Sequence, residues 1–172
     1  SSKTLINLDS EDEGVLTVGC AGSVTNFLDL PLTREPLGLE QVFELKVSGL
    51  QGGHSGAEIH EPRANANKLL ARLLDLVQQE VPLRLITLQG GSARNAIPRD
   101  AAAVFACADD QAAACRAAFE RAAQVLGREY AHTEKIMELT LTAKDEKPAL
   151  AVTAADSQRA IWLLLAVPNG VF

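Results

Sequence analysis

Runs of basic residues are missing from this sequence. Its 16 lysines and arginines are scattered, never four together, against 22 acidic residues and a formal net charge of −6. A nucleic-acid partner needs clustered cations, so that class is excluded. Long apolar runs are missing too: the longest, Ala160–Val167, is far too short to span a bilayer. The opening Ser1–Leu5 lacks the extended apolar core of a secretory signal. Cysteine is scarce, and Cys20, Cys107 and Cys115 form an odd set without metal or redox spacing. Cys107 ends an apolar strand pattern and Cys115 falls on a helical stripe, so both read as small core residues. A reducing cytoplasm is the expected compartment. There is no internal repeat and no low-complexity tract.

What remains is an ordinary globular composition. The 172 residues suffice for one domain, or one domain plus part of another, and 47% are apolar, enough for a sizeable core. Thr4–Asp9 is a short apolar run ending in an acid, Val15–Cys20 reads as a strand, and Val24–Pro36 reads as extended. From residue 41 the periodicities are regular. Phe43, Leu45 and Val47 alternate with Glu44, Lys46 and Ser48, which predicts a strand with one buried face. A glycine-rich loop follows from Gly49 to Arg63. Ala66, Leu69, Leu70, Leu73 and Val77 then recur at helical spacing, with Lys68, Arg72, Asp75 and Gln79 on the other side. Leu83–Leu88 and Ala101–Ala108 read as strands. Asp110–Ala131 reads as a helix whose stripe is Cys115, Ala118, Phe119, Ala122, Val125 and Leu126, and Met137–Thr142 alternates again.

The order over residues 41–143 is therefore βαββαβ. This predicts an α+β, ferredoxin-like two-layer sandwich with extra N-terminal strands and a C-terminal helix over Ala154–Val167.

The densest polar constellation is Gly52-Gly53-His54-Ser55-Gly56-Ala57-Glu58-Ile59-His60-Glu61. Its glycines imply a backbone bent closely against something. A serine nucleophile elbow would need a glycine where Ala57 stands and a helix directly after Ser55. A self-contained zinc site could use His54, Glu58 and His60, although the spacing fits no standard closed site. A loop whose histidines only cap or hydrogen-bond is the third possibility. Asp9 closes an apolar run, as a solvated turn or as a carboxylate at a strand end reaching an α/β active site. His132 has no evident role.

Taken together, Leu5–Gly14, Gly19–Gly22, Gly52–His60, Arg94-Asn95-Ala96-Ile97-Pro98-Arg99 and Pro168–Val171 resemble the bacterial aminoacyl-histidine dipeptidases. These belong to a dinuclear zinc family that includes aminoacylase, succinyl-diaminopimelate desuccinylase and glutamate carboxypeptidase. The resemblance covers essentially the whole chain. It implies that residues 1–23 are a remnant of a catalytic-domain edge and hinge, and that 24–172 form a lid, or dimerisation, domain. Asp9 is then one carboxylate ligand of two zinc ions in the full-length parent. The remaining ligands and the general base have no counterpart here, so the chain by itself is expected to be inactive and to hold no zinc stably.

His54 becomes the lid histidine that donates a hydrogen bond to the oxyanion of the tetrahedral intermediate. Asn95 becomes a substrate contact. Arg94 and Arg99, which flank it, are expected to bind the dipeptide's C-terminal carboxylate. Many relatives carry such an arginine at the end of the third strand, where this chain has Ala106 and Cys107. The expected partners are a dipeptide of the Xaa-His type, the rest of the catalytic domain, and a second copy in a homodimer. A longer lid of the aminoacyl-histidine kind favours His54 acting on its own chain's site. The rival reading is a regulatory or oligomerisation module of ferredoxin-like fold, which would need no histidine in a Gly-His-Ser-Gly loop.

Overall fold

Alternation of large apolar and polar side chains sets the middle of the molecule. In chain order the elements are β1 Arg34–Pro36, β2 Glu40–Ser48, β3 Gly53–His54, α1 Ala66–Gln78, β4 Arg84–Gly90 and β5 Ala96–Ile97. They continue with β6 Ala101–Ala108, α2 Ala112–Glu129, β7 Glu138–Lys144, β8 Leu150–Val152 and α3 Ala154–Ala166. This is a computed structural model, and it describes residues 13–16, 18–19, 22–38 and 40–171. The main sheet has the order β4-β6-β2-β7 with every pair antiparallel. With α1 after β2 and α2 after β6, that is the split βαβ, ferredoxin-like arrangement that the sequence pattern predicts.

Register follows from burial. Phe43 pairs with Phe105 across β2–β6, their ring centroids 5.9 Å apart, and Leu45 lies between Ala103 and Leu141. All four of Phe43, Leu45, Val47 and Phe105 are fully buried beneath the helices. The small alanines of β6 leave room for the bulk that β2 supplies. Each fully buried aliphatic or aromatic side chain contributes about 1.5–3 kcal/mol.

Helix α1 starts where Asn65 caps it, its side-chain oxygen accepting from Asn67 N–H at 3.0 Å and Lys68 N–H at 3.4 Å. It packs between α2 and α3, so Ala71 and Leu74 are buried beside the expected stripe. Its polar flank is also in use. Arg72 reaches Glu129 at the end of α2 with both terminal nitrogens at 2.7 Å. Lys68 Nζ donates to the carbonyls of Leu164 (2.6 Å), Leu165 (2.9 Å) and Val167, which places a cation on the C-terminus of α3.

Several sequence expectations need correction. Thr4–Asp9 lies outside the described residues. Of Val15–Cys20, the described Val15, Leu16, Val18 and Gly19 form no strand and are exposed. Within Val24–Pro36 only Arg34–Pro36 is a strand, and it pairs with β8, where none was expected. Arg84 fastens that ribbon to the sheet edge by donating to the carbonyls of Glu35 and Pro36 and pairing with Glu40. Val125 is 57% exposed, because it falls at the margin of the α2 stripe that Cys115, Ala118, Phe119, Ala122 and Leu126 bury. Cys107 and Cys115 are buried free thiols, as core packing requires. No helix among the described residues is long and apolar enough to cross a membrane.

Two predictions follow from this packing. Gly49 ends β2 at φ +74°, and a Cβ there would lie 2.2 Å from the Ile136 carbonyl oxygen. Gly49→Ala should therefore lower stability by about 2 kcal/mol or more in urea unfolding, with the m-value unchanged. Asp156, in the first turn of α3, accepts from Thr33 N–H at 2.7 Å and from Arg159. The Thr33 N–H first, and then Arg159, hold its carboxyl below the usual Asp range. A depressed carboxyl stabilises the fold above its ordinary pKa of about 4 and loses that contribution as pH falls through the lower folded-state value. Melting temperatures of wild type and Asp156→Asn should differ at pH 7 and converge as pH falls below the ordinary Asp range.

Candidate functional site

Between Gln51 and Ala64 the chain leaves the sheet as a loop, and one acid closes its base. Glu134, only 5% exposed, accepts from Gln51 N–H through one oxygen at 2.7 Å and from Ala64 N–H through the other at 2.8 Å. Both ends of the loop are thus fixed to the turn after α2. The loop's rising arm, β3, pairs antiparallel with β5, setting Gly53 opposite Ile97 and His54 opposite Ala96. Ser55 N–H extends the ladder to Asn95 C=O at 2.9 Å. The two motifs that stand apart in sequence, Gly-His-Ser-Gly and Asn-Ala-Ile-Pro, are therefore one structure.

His54 is exposed, yet it is not loose. Its Nδ1 accepts from Gly56 N–H at 3.1 Å and from Ala57 N–H at 3.0 Å. An imidazole nitrogen that accepts carries no proton, so the neutral ring must carry its proton on Nε2. Nε2–H has no partner among the described residues and is a donor held ready for something outside the loop. The backbone of His54 is bound as well. Its N–H donates to Glu58 Oε2 at 2.7 Å, and its C=O accepts from Glu58 N–H at 2.9 Å. Arg63 completes the turn, pairing with Glu58 and Glu61 and donating from NH1 to Gly52 C=O at 2.7 Å.

The close approach implied by the glycines proves to be made by arginines. Gly52 has φ +65°, and a Cβ there would lie 2.3 Å from Arg99 Cγ. Gly53 has φ +144°, and its Cβ would lie 2.3 Å from Arg63 NH1. The Arg99 stem packs on Gly52 and the Arg63 guanidinium on Gly53, and at each glycine only a hydrogen atom fits.

Each candidate residue can now be placed. His54 stands opposite Ala96 on the β3–β5 ladder, and Asn95 lies one position beyond, across from Ser55. Arg94 and Asn95 are exposed on the turn leading into β5. Arg99 is next to both motifs, but its Nε is spent on Leu50 C=O at 3.0 Å, which leaves only its terminal nitrogens for a ligand. Ala106 and Cys107 are buried in β6 and offer no cation at that strand end. Asp9 lies outside the described residues.

The serine elbow fails because Ser55 runs into a closed turn, with α1 starting only at Ala66. The zinc set of His54, Glu58 and His60 fails on its donors. Glu58 is committed to His54 N–H and Arg63, and His54 Nδ1 is turned back onto the loop. Among the described residues no group of three or more His, Cys, Asp or Glu could hold a metal ion. Arg63 and Glu134 went unnoticed in the sequence. Glu134 is 70 positions from Ala64 and carries no local signature, whereas Arg63, five residues after Glu58 in a loop, could have been suspected as its counter-ion.

Known proteins resemble this chain in sequence and fold. The chain is 45% identical to the cytosol non-specific dipeptidase of Escherichia coli (strain K12), covering 97% of this chain and 34% of that protein. It therefore spans about a third of that relative's length. The solved aminoacylhistidine dipeptidase of Vibrio alginolyticus superposes with a TM-score of 0.78 at 36% identity, over 83% of this chain and 29% of the other. A hydantoinase/carbamoylase family amidase from Burkholderia ambifaria shares the fold alone, with a TM-score of 0.50 at 16% identity over 64% of this chain and 28% of its own. The model of the peptidase dimerisation domain matches residues 45–134, a stretch that holds the His54 loop, α1, the Asn95 turn and α2, and the chain belongs to that family.

Proposed function

We propose that this chain is the lid of a cytoplasmic metallodipeptidase and that His54 is its contribution to catalysis. The observation that carries the reading is the fixed ring of His54, with Nδ1 tied to two backbone N–H groups and Nε2–H without a partner among the described residues. Attack on a peptide carbonyl moves negative charge onto its oxygen. A donor oriented before the reaction stabilises that charge without reorganising at the moment of attack. Likeness to two proteins named as dipeptidases supports the substrate class, and the name of one supports a cytosolic setting.

Asn95, across from Ser55 at the end of the ladder, would hold the substrate backbone. Arg94 and the terminal nitrogens of Arg99 would face its C-terminal carboxylate, and a C-terminal histidine is the favoured residue. Two zinc ions would supply the activated water in the full-length protein. The described residues hold no set of donors for them, and Asp9 is the one ligand assigned to this chain. Exposed apolar side chains at Leu16, Val18, Val24 and Phe27 suit a segment covered by the remainder of the parent. Pairing of two parents through their lids is the partner reading.

In the full-length parent, His54→Ala should lower kcat about 10²–10³-fold while KM changes by less than about threefold. Bound metal should be unchanged. A variant that loses metal, or that keeps near wild-type kcat, contradicts the assignment. We further place His54 over its own chain's site. Mixing the Asp9→Ala and His54→Ala parents under subunit exchange should then restore no activity. Action across the dimer would return roughly a quarter of it, since half of randomly exchanged dimers would each hold one intact site.

A further inference from the structure

Glu58 takes no part in the donor chemistry above, yet it encloses His54 on both sides. Its Oε2 receives the His54 N–H at 2.7 Å, and its own N–H donates to the His54 carbonyl at 2.9 Å. Of the three residues between them, Gly56 and Ala57 are the two whose N–H groups hold the imidazole. Ring and backbone of His54 are therefore fixed by one five-residue turn that Glu58 closes. Arg63 sets Glu58 in turn. It takes the second carboxylate oxygen, and its NH1 holds Gly52 C=O at 2.7 Å, two residues before the histidine.

The Arg63 side chain is only 13% exposed, against 35% for Glu58, so this pair is anchored from the interior side. Exposed ion pairs add little to stability. What this one supplies is direction: it decides where a short glycine-rich segment points. The His54 N–H first, and Arg63 next, hold the Glu58 carboxyl below the ordinary range. It consequently remains an ionised acceptor throughout the neutral range.

We infer that the Glu58–Arg63 pair is the positioning device for His54, fixing the donor's loop so that Nε2–H meets the oxyanion without a search over loop conformations. The inference rests on the donor role proposed for His54. Its prediction is a loss that travels through the histidine, and a double-mutant cycle on the full-length parent reads it.

Glu58→Ala should lower kcat roughly 10-fold, the scale of effect of a displaced catalytic group, with KM within about threefold. In a His54→Ala background the same change should cost nothing more, because residues acting through one group are not additive. Glu58→Gln keeps an oxygen for the His54 N–H and should recover most of the activity. Arg63→Ala, which leaves Glu58 in place, should give a smaller loss of the same kind and serves if Glu58→Ala folds poorly. Hydrogen exchange at the His54 amide should quicken at least about 10-fold in Glu58→Ala while α1 amides keep their protection. Losses that multiply in the double variant, or a Glu58→Ala kcat within about twofold of wild type, overturn the positioning role and leave the donor standing. Wild-type kcat in His54→Ala alone sinks the donor role itself.

Discussion

One buried carboxylate governs where the site can be. Glu134 sits in the turn between α2 and β7, and its two oxygens take the backbone N–H groups at the two ends of the 51–64 loop. Truncating it would leave the buried Ala64 N–H unpaired, a penalty of about 1–3 kcal/mol, and would release the part-buried Gln51 N–H as well. With the base closed, the loop's rising arm lies alongside the turn that enters β6, and the β3–β5 ladder can form. With the ladder formed, His54 stands opposite Ala96 and Ser55 meets Asn95. The ferredoxin-like sheet is thus a platform whose task is to bring three separate turns to one end.

The sheet itself was legible in the sequence because it obeys simple periods. Phe43, Leu45 and Val47 alternate, as do Leu139 and Leu141, and the α1 leucines recur every three or four residues. Each of those patterns became the expected element within one to three residues at its ends. The short ribbons were not legible. A strand of two or three residues, such as β3, β5 or β8, has too few side chains for any period, and its existence depends on a partner far along the chain. Arg34–Pro36 pairs with Leu150–Val152 because Arg84 gathers their carbonyls, which no local pattern announces.

The site was legible in part. Glycines around His54 pointed to a special loop, and its association with the Asn95 turn came from resemblance before geometry showed their contact. The glycines implied a close approach without saying by what, and at Gly52 and Gly53 it is made by Arg99 and Arg63. Arg99 was expected to face the substrate, and part of its hydrogen-bonding capacity is spent on Leu50. Long side chains can fold back onto their own scaffold, and sequence spacing carries no information on which they choose.

The two arginines pressed against the Gly52-Gly53 turn carry a consequence for how such a loop can change over evolutionary time. A side chain at either glycine collides with an arginine, and the positive φ at both positions strains any replacement even where an arginine is shortened. The two glycines are therefore expected to stay glycine, while this packing leaves the arginines free to vary only towards smaller residues. A loop transplanted from a relative into this lid would bring its histidine and its own residue 63, but it would still depend on positions 99 and 134 outside it.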